Sequence, residues 1–292
     1  MPASLLKGDL VVNDIHRWCL RKGHKDGVEP VLAVVFFNTD PAAEDYVRIK
    51  AHVAAKANVG YWVYEMPPNA SSAEVKAQIR DMNRNPQIHG ILIQRPLPEQ
   101  LDEPKIMATI SPVKHIEENS ADQKSNIAAD AFTRLLTKYG KRRLANRSMI
   151  HIAGFGNIIT DDFIAHMARQ YPFVSATPDL PTGKSNVQNG AKHDVNNKTA
   201  VLVTELHQGP GCITRDKIPP DVKVIIDAGF YSTEKGTIVG DVDHKAYQDS
   251  GLAIAPTPGG LLPILLWLMM ERTIRAKRVL KHRESISCCA CQ

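Results

Sequence analysis

The sequence predicts an α/β protein of two domains, each built on a parallel sheet. Between Val31 and Gln94 three apolar runs alternate with two helical stretches, and strand–helix–strand order at these lengths implies parallel strands joined by right-handed crossovers. A second series opens with Met149-Ile150-His151-Ile152-Ala153 and passes into Gly154-Phe155-Gly156, the kind of turn that leads a strand into a helix. A chain of 292 residues is long enough to bury two cores.

Taken in order, Leu5 to Leu20 has helical periodicity after Gly8. Val31 to Phe37 is an unbroken apolar run bounded by turn residues, which reads as a buried strand. Asp40 suits an N-cap, Pro41 the first helical position and Glu44 a capping box. The helix they start runs to about Val59 and carries Tyr46 and Lys50 four apart on one face. Tyr61 to Met66 is a second strand, stopped by Pro67-Pro68. Ser71 and Glu74 cap a helix reaching about Arg84. His89 to Gln94 is a third strand, stopped at Arg95-Pro96-Leu97-Pro98.

The polar, turn-rich stretch Ser111 to Asn126 marks a domain junction. Beyond it come a helix from about Ala128 to Tyr139, a basic turn from Lys141 to Arg147, and the strand at Met149. A helix from Thr160, a short strand at Phe173-Val174-Ser175 and a polar loop from Asp179 to Lys198 follow. Strands at Ala200 to Val203 and Val222 to Asp227 precede a last helix from about Ile264, which carries Arg272, Arg275, Lys277, Arg278 and Lys281. The expected division is residues 1–125 with about 264–292 in the first domain, and 126–263 in the second.

Hydrophobic content of 43% and charged content of 23% are those of a globular protein, and a formal charge of +5 is mild for this length. The longest apolar run, Leu261 to Met270, is broken by Pro263 and falls well short of the ~20 residues of a membrane span. The N-terminus lacks a secretory pattern, and Asp9 and Asp14 weaken a presequence. Cytoplasm or mitochondrial matrix is therefore expected, with no membrane partner. Cys19 and Cys212 are isolated while Cys288, Cys289 and Cys291 crowd the tail, a poor disulfide framework that fits a reducing compartment. The tail resembles a prenylation signal only superficially, and a metal site there would need a fourth ligand, for which His282 is the nearest histidine.

An aromatic ring and an amine one helical turn apart, beyond a strand's carboxyl end, make a reasonable start for a site in an α/β protein. The alternative is that Tyr46 packs and Lys50 is solvated. Four blocks in order favour the site: Asp40-Pro41-Ala42 with Tyr46 and Lys50; Gly90-Ile91-Leu92-Ile93-Gln94-Arg95-Pro96-Leu97-Pro98; Val239-Gly240-Asp241-Val242-Asp243; and Pro256-Thr257-Pro258-Gly259-Gly260. In order and spacing they resemble the bifunctional methylenetetrahydrofolate dehydrogenase/methenyltetrahydrofolate cyclohydrolase family (FolD).

The resemblance implies a FolD-like pair of domains around a cleft: a parallel-sheet catalytic domain for folate and a Rossmann-type NAD(P)-binding domain, with the C-terminal helix returning to the first domain. It makes Lys50 the catalytic amine, Tyr46 the ring that stacks on folate and Gln94 the partner that positions Lys50. Glu117, Pro258, Gly259 and Gly260 would contact substrate. Gly154, Gly156, Asn157 and Ile158 would form the NADP loop. Hydride leaves a methylene bridge for nicotinamide, giving a cation that water opens. A lysine among cations and apolar walls has a lowered pKa and exchanges protons near neutrality.

The departures cluster at the ligands. The family's Lys-Asp-Val-Asp-Gly block reads Lys114-His115-Ile116-Glu117-Glu118, so the carboxylate moves out by a methylene. Asn126-Ile127-Ala128-Ala129 replaces Pro-Cys-Thr-Pro, and Leu261-Leu262-Pro263 replaces Val-Gly-Pro. The family's Gly-Arg-Ser-x-x-Val-Gly-x-Pro loop reads Gly154-Phe155-Gly156-Asn157-Ile158-Ile159-Thr160-Asp161-Asp162. Phe155 stands for a phosphate-binding arginine, and the acids at 161 and 162 repel a dinucleotide. Glu205-Leu206-His207 stands where Ala-x-Gly approaches nicotinamide. Ile159 also spoils a generic Gly-x-Gly-x-x-Gly, and Pro178 excludes a Walker loop at Gly183-Lys184-Ser185.

These changes count against NADP binding. They predict lost or impaired dehydrogenase activity and a structural role, that of a pseudoenzyme, as a homodimer or a subunit of a larger, mitochondrial ribonucleoprotein-type assembly. RNA would then meet Lys141 to Arg147 and the basic last helix. The alternative is an active dehydrogenase/cyclohydrolase, or a cyclohydrolase alone, since Tyr46, Lys50 and Gln94 are unchanged.

Overall fold

The computed structural model describes residues 3–23, 25–38, 41–120, 123–180, 199–233, 237–243, 247 and 250–289; the side chains at 41–43, 45, 46, 119, 120, 123, 124, 284 and 287–289 are outside the description. The expected N-cap at Asp40, most of the loop from Asp179 to Lys198 with Gly183-Lys184-Ser185, and the end of the cysteine-bearing tail lie outside the described residues. Two compact units divide the chain, residues 13–127 with 266–292 and residues 1–12 with 128–265.

The first unit holds a three-stranded parallel sheet. Val31–Phe37 lies between Gly60–Met66 and Gly90–Ile93. All seven residues of the central strand are buried, which is why it reads as one apolar run with no alternation. Val75, Ile79 and Met82 project from the helix Ser72–Arg84 onto a core shared with Val35, Ile91 and Ile93. That helix begins with the expected capping box: Ser71 Oγ accepts from Glu74 N, and the Glu74 carboxylate accepts from Ser71 N. At its other end the buried Lys114 amine donates to the carbonyls of Met82, Asn83 and Asn85, so orphan acceptors of the last turn are met by a cation. Gly90 allows the sheet to lie against the last helix, because a Cβ there would come within 2.6 Å of Thr273 Oγ1 and 2.8 Å of Ile116 Cγ2.

The second unit holds a six-stranded sheet, parallel throughout, in the order Ser4–Leu5, Ala253–Ala255, Val224–Asp227, Thr199–Glu205, Met149–Gly154, Val174–Thr177. Here the structure differs from the expected division. Ser4 and Leu5 pair with Ala253 and Ile254, so the described residues up to Val12 go with the second sheet, while the helix begins at Asp9, directly after Gly8 as its periodicity implied. The last helix starts at Leu261, ahead of the expected Ile264, because Pro263 falls in the first turn, where its missing N–H costs nothing. From Leu266 onward that helix belongs to the first unit. Among the described residues no helix is long and apolar enough to cross a membrane.

Candidate functional site

Lys50 lies on the helix Pro41–Ala57 and is 4% exposed. Its Nζ donates to Gln94 Oε1 at 2.5 Å. Gln94 directly follows the strand Gly90–Ile93, and its own N–H is bonded to Val35 O at 2.9 Å. The other end of its amide, Nε2, donates to Arg95 O at 2.6 Å, which settles which end faces the amine. Burial lowers the Lys50 pKa to about 8, and Glu117 pulls it partly back up. The sequence led us to expect cations nearby as a cause of the lowering. The structure corrects this: desolvation does the lowering, and the neighbouring charge named with it is a carboxylate that opposes it.

Glu117 is held by a fork. Arg95 Nη1 donates to Glu117 Oε1 and Arg95 Nε to Glu103 Oε1, each at 2.7 Å. The second carboxylate oxygen, Glu117 Oε2, is buried and has no hydrogen-bond partner among the described residues. A buried acceptor left open beside a clamped twin is an atom prepared for a donor that arrives from outside. The backbone behind it is pinned by Arg272, whose Nη1 donates to the carbonyls of Ile116, Glu117 and Ser125 at 2.8–3.1 Å. Lys50, Gln94 and Glu117 are thus gathered within one unit. Tyr46 lies one turn before Lys50 on the same helix, and its side chain is outside the description.

Sequence reasoning missed Arg95, Glu103 and Arg272. An arginine directly after an apolar strand was a usable signal for Arg95, whereas nothing local marks Glu103. The last helix was expected to offer basic residues to RNA. Arg272 and Lys277 are instead turned inward, 2% and 3% exposed, with Lys277 Nζ donating to Gly23 O, Val28 O and Asp26 Oδ1. Arg275 pairs with Glu271 at 2.7 Å and lies over Trp18. Arg272 and Lys277 therefore act inside the fold, whereas Arg278 and Lys281 of the same helix are exposed.

In the second unit, the strand Met149–Gly154 turns through Gly154 (φ +93°) into a loop that precedes the helix Asp161–Gln170. Any other residue at 154 would be strained, and its Cβ would strike Glu205 O at 2.0 Å. The expected loop residues Gly154, Gly156, Asn157 and Ile158 do come together, but their donors are already engaged. Glu205, at the end of the strand Thr199–Glu205, accepts from Asn157 N (2.8 Å), Ile158 N (3.0 Å) and Ile159 N (2.6 Å). It is 2% exposed. Burial raises its pKa to about 7, against the pull of the three N–H donors and with Asp241 adding to the rise. Thr160 caps the helix, with Asp161 and Asp162 in the first turn, while Phe155 is exposed.

Pro258, Gly259 and Gly260 form the turn after Ala253–Ala255. Gly259 has φ +104° and accepts from Gly8 N at 2.7 Å, and Gly260 N donates to Pro256 O at 2.6 Å. They lie in the second unit, and the Lys50 cluster lies in the first.

A parallel sheet in which a strand such as Met149–Gly154 passes through a glycine turn into a helix defines the dinucleotide-binding class of α/β proteins, joined in this chain to a unit with a buried lysine. Residues 6–117 match the family model described as tetrahydrofolate dehydrogenase/cyclohydrolase, catalytic domain, and residues 127–281 that of its NAD(P)-binding domain. A bifunctional protein FolD of Bordetella avium is 31% identical over 252 residues, covering 86% of this chain and 87% of the relative. The chain belongs to the tetrahydrofolate dehydrogenase/cyclohydrolase family. The fold agrees with the crystal structure of the Campylobacter jejuni bifunctional enzyme FolD (TM-score 0.73, 23% identity, 94% and 99% of the two chains covered). It also agrees with that of a Trypanosoma brucei FolD complexed with NADP cofactor and inhibitor (TM-score 0.76, 20% identity, 95% and 98% covered).

Proposed function

We propose that this chain hydrolyses a methenyl-folate through Lys50 and needs no nucleotide to do so. The observation that carries this reading is the buried Lys50–Gln94 pair, with the amine brought to about 8 and so able to take up and release a proton near neutrality. Water adds to the cationic carbon between the two folate nitrogens, and the neutral Lys50 amine takes its proton. One carbon–nitrogen bond then breaks: the departing nitrogen recovers the proton from Lys50, while the added hydroxyl becomes the formyl C=O and releases its own proton to solvent. One water is consumed and a formyl group remains on the other nitrogen. Gln94 keeps the lone pair aimed without adding a charge. The open Glu117 Oε2 supplies an acceptor for an N–H of the pterin ring. By family relationship Tyr46 provides the stacking ring.

NADP is the dinucleotide that kinship implies for the second unit. The loop residues do not fit it, because the N–H groups that would meet its phosphates hold Glu205. No hydride step is therefore part of this reading. The same loop favours a second reading, a non-catalytic scaffold that binds neither ligand.

The test is loss of methenyl absorbance from a methenyl-tetrahydrofolate in nucleotide-free buffer. Catalysis above the buffer rate, lost by about 100-fold or more in Lys50→Met, supports hydrolysis. Equal rates with and without the amine support the scaffold.

A further inference from the structure

We propose that the Glu205 carboxylate is a built-in occupant of the loop Gly156–Ile159, taking the backbone N–H groups that a dinucleotide phosphate needs and closing this unit to NAD(P). Successive backbone N–H groups ahead of a helix form a concave anion site, and the ligand usually found there is a phosphate. In this chain Asn157, Ile158 and Ile159 all point their N–H groups at one carboxylate, between 2.6 and 3.0 Å. The anion is not a mobile side chain resting on the surface. It is 2% exposed, comes from the end of a central strand of the same sheet, and is contacted by both of its oxygens.

The loop is also shaped around this occupant. A Cβ at Gly156 would come within 2.4 Å of Glu205 Cδ and 2.5 Å of Oε1, so glycine here makes room for the chain's own carboxylate. His207 Nε2 stands 3.8 Å from Glu205 Oε1 on the exposed side. Asp161 and Asp162, exposed in the first turn of the following helix, place further negative charge at the same end. A phosphate entering the loop would have to expel a buried anion from three donors and then sit beside two more acids. This stands apart from the Lys50 reading, since methenyl hydrolysis uses neither the loop nor Glu205.

Calorimetric titration of the full chain with NADP, and separately with inorganic pyrophosphate, tests the idea on the native protein, Glu205→Ala and Glu205→Gln. The native chain should show no binding tighter than about 1 mM, and Glu205→Ala should bind pyrophosphate at least about tenfold tighter than the native chain. Micromolar NADP binding by the native protein overturns the proposal, and so does a variant that folds yet binds no better. If both variants lose their fold, amide exchange on the native chain decides. Strand-like protection of Asn157, Ile158 and Ile159 without nucleotide is expected, and free exchange at those three overturns the proposal.

Discussion

Lys50 Nζ and Gln94 Oε1, 44 positions apart in the chain, meet at 2.5 Å in a buried pair whose amine is brought to about 8. One comes from the helix after the central strand and the other from the end of a neighbouring strand, so the sheet's register fixes the contact.

The pH profile of hydrolysis follows from that pair. Lys50 acts as a base only when neutral, so the rate should rise with pH through about 8 and level off above it. Gln94→Glu would put a carboxylate against the amine and favour its charged form, moving this limb upward by roughly a unit or more. A purely structural role for Gln94 would leave the limb where it is. Initial rates between about pH 6 and 10 decide the matter.

The Arg95 fork should matter for stability as well as for the site. Arg95→Ala leaves the largely buried Glu117 carboxylate uncompensated, and breaking such a pair costs about 3 kcal/mol. Denaturant unfolding of Arg95→Ala, Glu117→Gln and the double variant should show strong non-additivity, with the double variant less damaged than the sum.

Arg272 joins three carbonyls near Glu117 from a helix more than a hundred residues later in sequence. Arg272→Met keeps the stem but removes the donors, and should cost about 2–4 kcal/mol by leaving buried acceptors unmet. It should also raise KM more than it lowers kcat, because the Glu117 segment loosens while Lys50–Gln94 stays. Thermal melts and steady-state kinetics read the two effects.

Stability should fall as pH rises across neutrality. Burial raises both Glu205 and Asp227 to about 7, with Asp241 nearby adding to each. Both therefore bind protons more tightly in the folded chain than in the unfolded one, where carboxyls titrate near ~4. Their contribution is full below that range and is lost as pH rises through about 7. Glu205→Gln should flatten the decline between about pH 5 and 8 in urea unfolding. An unchanged slope would contradict the raised pKa that burial gives Glu205.

Much of this was legible in the sequence, and the exceptions share a cause. The strand at Val31, the Ser71–Glu74 cap and the order of elements follow from local patterns, and the Lys50–Gln94 partnership from the family resemblance. What escaped was direction. Arg272 and Lys277 looked like a solvated basic face, yet they point inward because carbonyls far along the chain need donors. The opening strand Ser4–Leu5 was not foreseen, because two residues carry no period and its partner at Ala253 lies at the far end of the sequence. Glu205 stood out as a departure from the family's Ala-x-Gly turn, but only the fold reveals that its carboxylate fills the loop around Asn157.

The central claim is that Lys50 supports ring opening without a nucleotide. The most direct measurement is the hydrolysis rate of a methenyl-tetrahydrofolate by the native chain, with and without saturating NADP, beside Lys50→Met. The account predicts one rate in both native samples and about 100-fold less in the variant. A native rate no greater than that of Lys50→Met, or one that appears only when NADP is present, would contradict it.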